Sequence, residues 1–416
     1  MPDISTHTLS CGLPILIEHI QGVRSAACTF VLPAGVALDP KTSVGLSAIW
    51  SEMLMRGAGE RDSRAQADAF DRLGCRRAIA NGRRRLSISA SMVGARLPDV
   101  LPLIVDTVRA PHLSAESLEP ARQLALQAIE SLPDDPTERT VIAARHRHLP
   151  FPFNRTTLGE AEHLRAIKHA DVVDEWRARA VPTGSVLSVA GDVDEPTLLR
   201  DLDKLLNGWE GSFGDPDLAA GAPRGVCHIA DDTQQVQIVV MHDAPEPTSD
   251  DAVLEKLVLA VLSGGMASRL FTQVREQRGL CYSVHAGYAS IGPLGSVEAY
   301  VGTTPERAQQ ALDVLCEELV RINTAEGAIT AEEFERARTG LKSRIVFSGE
   351  STAARAAQLA ADYDIFGRGR PLEELTAKFD AVTLDQVNEY ASRRSIGRPT
   401  IQTLGPVELA APEGWS

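Results

Sequence analysis

Close cysteine pairs are missing from this sequence. Of its six cysteines (Cys11, Cys28, Cys75, Cys227, Cys281 and Cys316), the nearest two are Cys11 and Cys28. That spacing excludes CxxC zinc ribbons and redox pairs, and leaves buried, reduced thiols as the expectation. A surplus of positive charge is missing too. Lys and Arg number 42 against 56 Asp and Glu, a net charge of −14, which argues against nucleic acid as a partner and allows basic ligands. No uninterrupted apolar stretch reaches the roughly 18 residues of a membrane span. The opening "MPDISTHTLSCGLPILIEH" has no basic segment leading into a long apolar run. A cytoplasmic protein with no membrane partner is expected.

Common catalytic motifs are absent as well. There is no GxxxxGK phosphate loop and no GxSxG nucleophile elbow, and "GAGERD" lacks the third glycine of a dinucleotide loop. The ten histidines are scattered. His146 and His148 alternate and His163 and His169 lie six apart, so neither pair shares a helical face with a carboxylate between them.

What the chain does contain is a copy of itself. "ADVVDEWRARAVPTGSVLSVAGDV" (170–193) and "LDQVNEYASRRSIGRPTIQTLGPV" (384–407) share a pattern in which Trp176 matches Tyr390 and Gly191 matches Gly405. "LSAESLE" (113–119) parallels "ITAEEFE" (329–335) at nearly the same offset. A period this long means two copies of one domain, in keeping with a 416-residue chain that is too long for one ordinary core. The segment "NGWEGSFGDPDLAAGAPRG" (207–225) is rich in Gly, Pro and Asp. The expected division is residues 1–210, a linker at 211–224, and residues 225–416.

Each copy reads as an opening strand ("ILIEH"; "VQIVVMH"), a helix (44–56; about 251–274), a strand pair, further helices and a closing strand. The strand pairs are "RRLSISASMV" in the first copy and "CYSVHAGYAS" with "SVEAYVG" in the second. Thr330 and Glu333 form a capping box. Runs such as "LSISAS" alternate, and adjacent strands look joined by hairpins. The predicted fold class is α+β: two duplicated domains, each a mostly antiparallel sheet with helices packed on one face.

Two stretches stand out chemically. In "LSGGMASRLFTQVREQRGLCYSV" (262–284), Arg275 and Tyr282 bracket a helix-to-strand turn. A guanidinium and a phenol that converge there make a donor pair suited to an oxyanion or a peptide carbonyl. On residue types alone the plainer reading is a surface cation and a half-buried strand aromatic. The second stretch, "GCRRAIANGRRRLSIS", gathers Arg76, Arg77, Arg83, Arg84 and Arg85 about a turn at Asn81-Gly82. A solvated hairpin tip is its plainer reading, and a site for acidic peptide the sharper one.

The 262–284 stretch resembles the C-terminal-half signature of the pitrilysin / insulinase / mitochondrial-processing-peptidase family of zinc peptidases, the inverzincin type. "CGLPILIEH", "PFNRTTLGEAEHLRAI" and "VPTGSVLSVAGDV" resemble other family segments, in order and over nearly the whole chain. The resemblance implies that Arg275 and Tyr282 are the arginine and tyrosine that bind the scissile peptide opposite the zinc. It also implies that the helix in "VGLSAIWSEMLMRGAG" (44–59) is the one that carries H-x-x-E-H in active members. Laid on that motif, the first histidine position is Ala48, the base position Ser51 and the second histidine position Glu52. The ligand on the later helix falls on Ala128, or on Gln127 if the match slips by one. Zinc catalysis needs three ligands and an open position, and one carboxylate does not supply them. Trp50, Met53 and Met55 are expected in the core or in a chamber wall.

The implied protein is pitrilysin-like in fold, without metal of its own, and not a peptidase alone. It would be the non-catalytic subunit of a heterodimeric endopeptidase. The zinc and H-x-x-E-H would belong to a paralogous partner, and Arg275 and Tyr282 would meet its peptide substrate in trans. Two other readings are a scaffold or binding protein of the same fold and, less consistent with the missing ligands, a peptidase with an unrecognised site.

Overall fold

The computed structural model describes residues 4–219 and 221–415. The chain opens with β1 (Ile4–Thr8), β2 (Pro14–His19), β3 (Ser25–Leu32), α1 (Leu46–Met53), the short β4 (Gly57–Ala58) and β5 (Arg61–Asp62), and α2 (Ser63–Arg72). Then come β6 (Arg76–Asn81), β7 (Leu86–Val93), α3 (Leu97–Arg109), α4 (Ala115–Glu130), α5 (Pro136–His148), α6 (Ala161–Ala166), α7 (His169–Arg179), β8 (Val186–Gly191) and α8 (Glu195–Leu205). The second half carries β9 (Gly225–Ala230), β10 (Val236–Ala244), α9 (Asp251–Ser263), β11 (Ser283–Ile291), β12 (Leu294–Thr303) and α10 (Ala308–Arg321). It ends with α11 (Ala331–Gly349), α12 (Thr352–Phe366), α13 (Leu372–Asp380), α14 (Leu384–Arg393) and β13 (Thr400–Gly405). Among the described residues, no helix is long and apolar enough to cross a membrane.

Sheet order shows the duplication. The first sheet runs β1-β2-β8-β3-β7-β6 and the second β11-β12-β10-β13-β9. Read backwards, the second repeats β2-β8-β3-β7-β6 strand for strand. In each sheet one pair is parallel, β2 with β8 and β9 with β13, and the others are antiparallel. The sequence match of "ILIEH" with "VQIVVMH" needs correcting. "VQIVVMH" lies in β10, the counterpart of β3, and "ILIEH" lies in β2, whose counterpart is β9. Gly191 and Gly405 end the equivalent strands β8 and β13, at φ +125° and +154°. A Cβ at Gly191 would lie 2.2 Å from the Ser25 carbonyl oxygen, so only glycine fits there. Trp176 and Tyr390 are both buried, on the equivalent helices α7 and α14.

The chain forms two compact units, and neither is contiguous in sequence. Unit 1 takes the residues up to Glu130, then Arg155–Leu218 and Phe347–Pro371; unit 2 takes Ser131–Asn154, Ala219–Val346 and the residues from Leu372 onward. Against the expected 1–210, 211–224 and 225–416, the linker residues are divided at Leu218/Ala219 and two segments are exchanged. Helix α5 belongs to unit 2 and its counterpart α12 belongs to unit 1. The described residues of 211–224 form no helix or strand beyond one isolated bridge, Ser212 to Thr183.

The exchange has a physical cause in the strands. β3, β8, β10 and β13 are buried almost end to end, not on alternate residues, so each sheet is covered on both faces. In unit 1 one face meets the main core, including Trp50, Phe70 and Leu101. The opposite face, through Leu16, Ala27 and Val186, packs on Ala356 and Leu359 of α12. Glu18 and Arg355 form a buried ion pair beneath it at 2.7 Å. In unit 2 the main core includes Leu257, Leu315 and Val387, and Val141 and Ala144 of α5 pack on Val239 and Met241. Arg145 grips Glu298 through two bonds, at 2.7 and 3.1 Å.

Candidate functional site

Helix α1 is built around one buried acid. The Asp39 carboxylate accepts hydrogen bonds from the Gly45 N–H at 2.8 Å, and from the N–H and hydroxyl of Ser47 at 3.4 Å. Gly45, at φ +122°, is the residue before the helix. Arg179 stands 3.4 Å from the same carboxylate and also binds Glu175 at 2.8 Å. Arg155 donates to the Asp39 backbone carbonyl at 2.6 Å. Burial pushes the Asp39 carboxyl up to about 6, although the Gly45 N–H and the arginines oppose that rise. The helix spans 46–53, shorter than the expected 44–56: Gly45 at φ +122° lies outside helical geometry before its first turn, and residues 54–56 turn the chain toward β4.

Leu46, Ile49, Trp50 and Met53 face the core, and Met55, beyond the helix, is half-buried. Trp50 lies edge-on to Trp176, with ring centroids 5.5 Å apart, and donates its indole N–H to the Val172 carbonyl at 3.1 Å. Ala48, Ser51 and Glu52 share the adjoining half-buried face, at the i, i+3, i+4 spacing that two histidines and a glutamate would need. α4, which carries Gln127 and Ala128, packs against α1. The donors do not fit a zinc ion. Ala48 and Ala128 offer methyl groups, and the Ser51 hydroxyl donates to the Ala48 carbonyl at 2.7 Å. Glu52 alone supplies a carboxylate, and it makes no ion pair among the described residues. No group of three or more His, Cys, Asp or Glu among them could hold a metal.

In unit 2, Arg275 and Tyr282 do meet. Arg275 lies on a π-helical segment, Phe271–Gln277, and Gly279 at φ +59° reverses the chain toward β11. The guanidinium carbon sits 4.9 Å from the centre of the Tyr282 ring and 4.8 Å from that of Phe271. The guanidinium is thus within cation–π range of both rings. Tyr282 is 80% exposed, and its hydroxyl has no hydrogen-bond partner among the described residues. The plainer reading, a half-buried strand aromatic, is therefore wrong for Tyr282. Beside them, burial pushes the Cys281 thiol up to about 11, against the opposing Arg275 charge. All six cysteines are free; Cys28, Cys75 and Cys316 are buried and the others half-buried.

Three of the five clustered arginines take structural roles. Arg84 and Arg85 both clamp Asp364 and Asp215 within unit 1, at 2.6 to 3.1 Å. Arg77 lies 4.3 Å over the Phe70 ring. These pairings escaped the sequence reading because Asp364 lies 280 residues from Arg84.

Residues 14–158 match the insulinase (peptidase family M16) model, and residues 167–341 match the peptidase M16 inactive domain. The chain belongs to the M16 peptidase family. An uncharacterized zinc protease of Streptomyces coelicolor is 26% identical to it over 96% of this chain and 89% of its own length. Another, from Bacillus subtilis, is 25% identical over 93% of this chain and 95% of that one. The M16 inactive-domain structure from Pseudomonas fluorescens superposes with a TM-score of 0.87 at 19% identity, covering 99% of both chains. A chain of "Complex III2 from Candida albicans" superposes with a TM-score of 0.82 at 16% identity, covering 98% of this chain and 97% of that one. Both structures share the fold. This M16 chain thus combines the family's two-domain architecture with a first-domain helix that carries one carboxylate, Glu52, and no histidine.

Proposed function

We propose that this M16 chain is the non-catalytic subunit of a two-chain zinc endopeptidase. The zinc and the H-x-x-E-H motif belong to a paralogous partner, and Arg275 and Tyr282 engage the peptide bound there. The observation that carries the reading is the combination of an α1 face with a single carboxylate, Glu52, and an exposed phenol whose hydroxyl is unused. Such a hydroxyl can donate to a carbonyl oxygen as it gains negative charge, while the guanidinium holds a neighbouring backbone carbonyl.

Two measurements test it. The purified chain, dialysed against a chelator, is expected to hold far less than one zinc by elemental analysis; one tightly held zinc per chain ends the reading. Mixed with a zinc-bearing paralogue, it is expected to co-elute and to raise turnover. Tyr282→Phe in that complex should lower kcat roughly a hundred- to a thousandfold, the usual effect of losing one such donor. The ring still packs, so assembly should persist. Near-normal turnover from an assembled Tyr282→Phe complex would remove this chain from the chemistry. A second reading, a scaffold of the same fold with no part in proteolysis, is supported by the structural likeness to a Complex III2 chain.

A further inference from the structure

Unit 2 contains a cleft lined by glycines on one side and arginines on the other. In unit 1, α1 and α4 pack closely on each other; their counterparts α9 and α11 touch far less extensively. A cleft of about 280 Å³ opens between the end of α9 and α11. One wall is Gly264, Gly265 and Met266, and the other is the stripe Arg336, Gly340, Arg344 on α11. Ala260, Val261 and Ala337 line it with small apolar groups. A Cβ built on Gly265 or on Gly340 meets nothing within 4 Å, so both glycines face open space. Met266 is 78% exposed.

The charge in this cleft runs against that of the whole molecule. Glu333, the acid among its lining residues, is already consumed: Arg269 grips it through two bonds at 2.7 and 2.8 Å. Arg336 is divided between Glu332 at 3.2 Å and the Ala267 carbonyl at 3.3 Å. Arg344 donates through Nε to the Gly340 carbonyl at 3.4 Å and has no carboxylate partner among the described residues. A guanidinium with its fork unused, at the rim of an apolar trough, is built for a carboxylate.

We infer that this cleft binds a peptide segment that places a carboxylate on Arg344 and small apolar side chains between Gly265 and Gly340. The carboxylate is an acidic side chain or the peptide's own C-terminus. The inference rests on the reading that the chain handles peptide, and it names a class of peptide for it.

The test uses the full chain and fluorescein-labelled peptides of about a dozen residues, Ala and Val in the main, followed by anisotropy. One peptide carries two glutamates and a free C-terminus. Companions replace glutamate by glutamine, amidate the terminus, or do both. The acidic peptide should bind roughly tenfold tighter than the doubly neutral one, and added salt should erode that difference. The singly neutralised peptides report which carboxylate is used. Gly340→Leu fills the trough at a helical position with room for it, and Arg344→Ala removes the cation. Each should weaken the acidic peptide about tenfold, and Arg344→Lys should restore part of the loss. Arg338→Ala, outside the cleft lining, should change nothing. Equal affinity for acidic and neutral peptides overturns the inference. So does full binding by a folded Gly340→Leu or Arg344→Ala chain, or no binding at all. None of these outcomes touches the Tyr282→Phe turnover test, so the two readings fail separately.

Discussion

Trp50 shows how a helix outlives its chemistry. Its ring is fully buried, packs on Trp176, lies beneath the Arg179 guanidinium at 5.2 Å and is tied to Val172 by its N–H. Trp50→Ala should cost about 3–5 kcal/mol, measured as a lower urea midpoint, because the site cannot collapse and a buried carbonyl loses its donor. Of the positions that zinc chemistry would use, Ser51 and Glu52 are half-buried beside this packing, and Ala48 touches the core with a single methyl group. They can change while α1 stays folded. That separation explains why a metal-free helix keeps its frame. In the sequence, the missing donors at these positions were legible at once. The support beneath them was not: Asp39 gathers Arg155 and Arg179 from 116 and 140 residues away.

Among the elements, the ends of helices and strands carry the titrating groups, and two of them oppose each other. His242, in β10, contacts Arg394 at 3.1 Å, and Arg394 in turn grips Glu255 of α9 at 2.8 Å. Burial and then the Arg394 charge push His242 down to about 4 from its ordinary 6.5. The unfolded chain therefore binds this proton first, and the contribution of neutral His242 is present above about 6.5 and lost as pH falls through about 4. Asp39 is raised from 3.8 to about 6, so its contribution is present below about 3.8 and lost as pH rises through about 6. Between these values the two slopes have opposite sign. Urea titrations of His242→Gln should lose the destabilisation toward acid, and Asp39→Asn should lose the destabilisation toward neutral pH. Unchanged slopes in both variants would remove the groups from the pH profile.

For the whole molecule, the exchange of α5 and α12 decides how the chain can be divided. A cut between Leu218 and Ala219 follows the Gly- and Pro-rich segment, yet it leaves each sheet without the helix on its second face. Ser188 would lose the Ala356 carbonyl it meets at 2.6 Å, and Glu18 would be left buried without Arg355. Fragments 1–218 and 219–416 expressed alone should be insoluble or molten by near-UV circular dichroism. Expressed together, they should recover a folded complex. A cooperative, folded fragment 1–218 by itself would show that the exchanged helix is dispensable.

The sequence alone determined the donor inventory and the duplication. The methyl side chains of Ala48 and Ala128 offer a metal no donor atom in any fold, and a repeat leaves its spacing on the chain. It also set the local geometry that depends on near neighbours, such as the Thr330–Glu333 capping box, with bonds at 3.0 and 3.3 Å. Tertiary structure decided which sheet each amphipathic helix covers, since an apolar stripe fits either. It also decided that Arg84 and Arg85 would hold Asp364 and Asp215, and that Arg275 would stack on Tyr282. Those outcomes depend on distances between residues far apart in the chain, and periodicity records only neighbours.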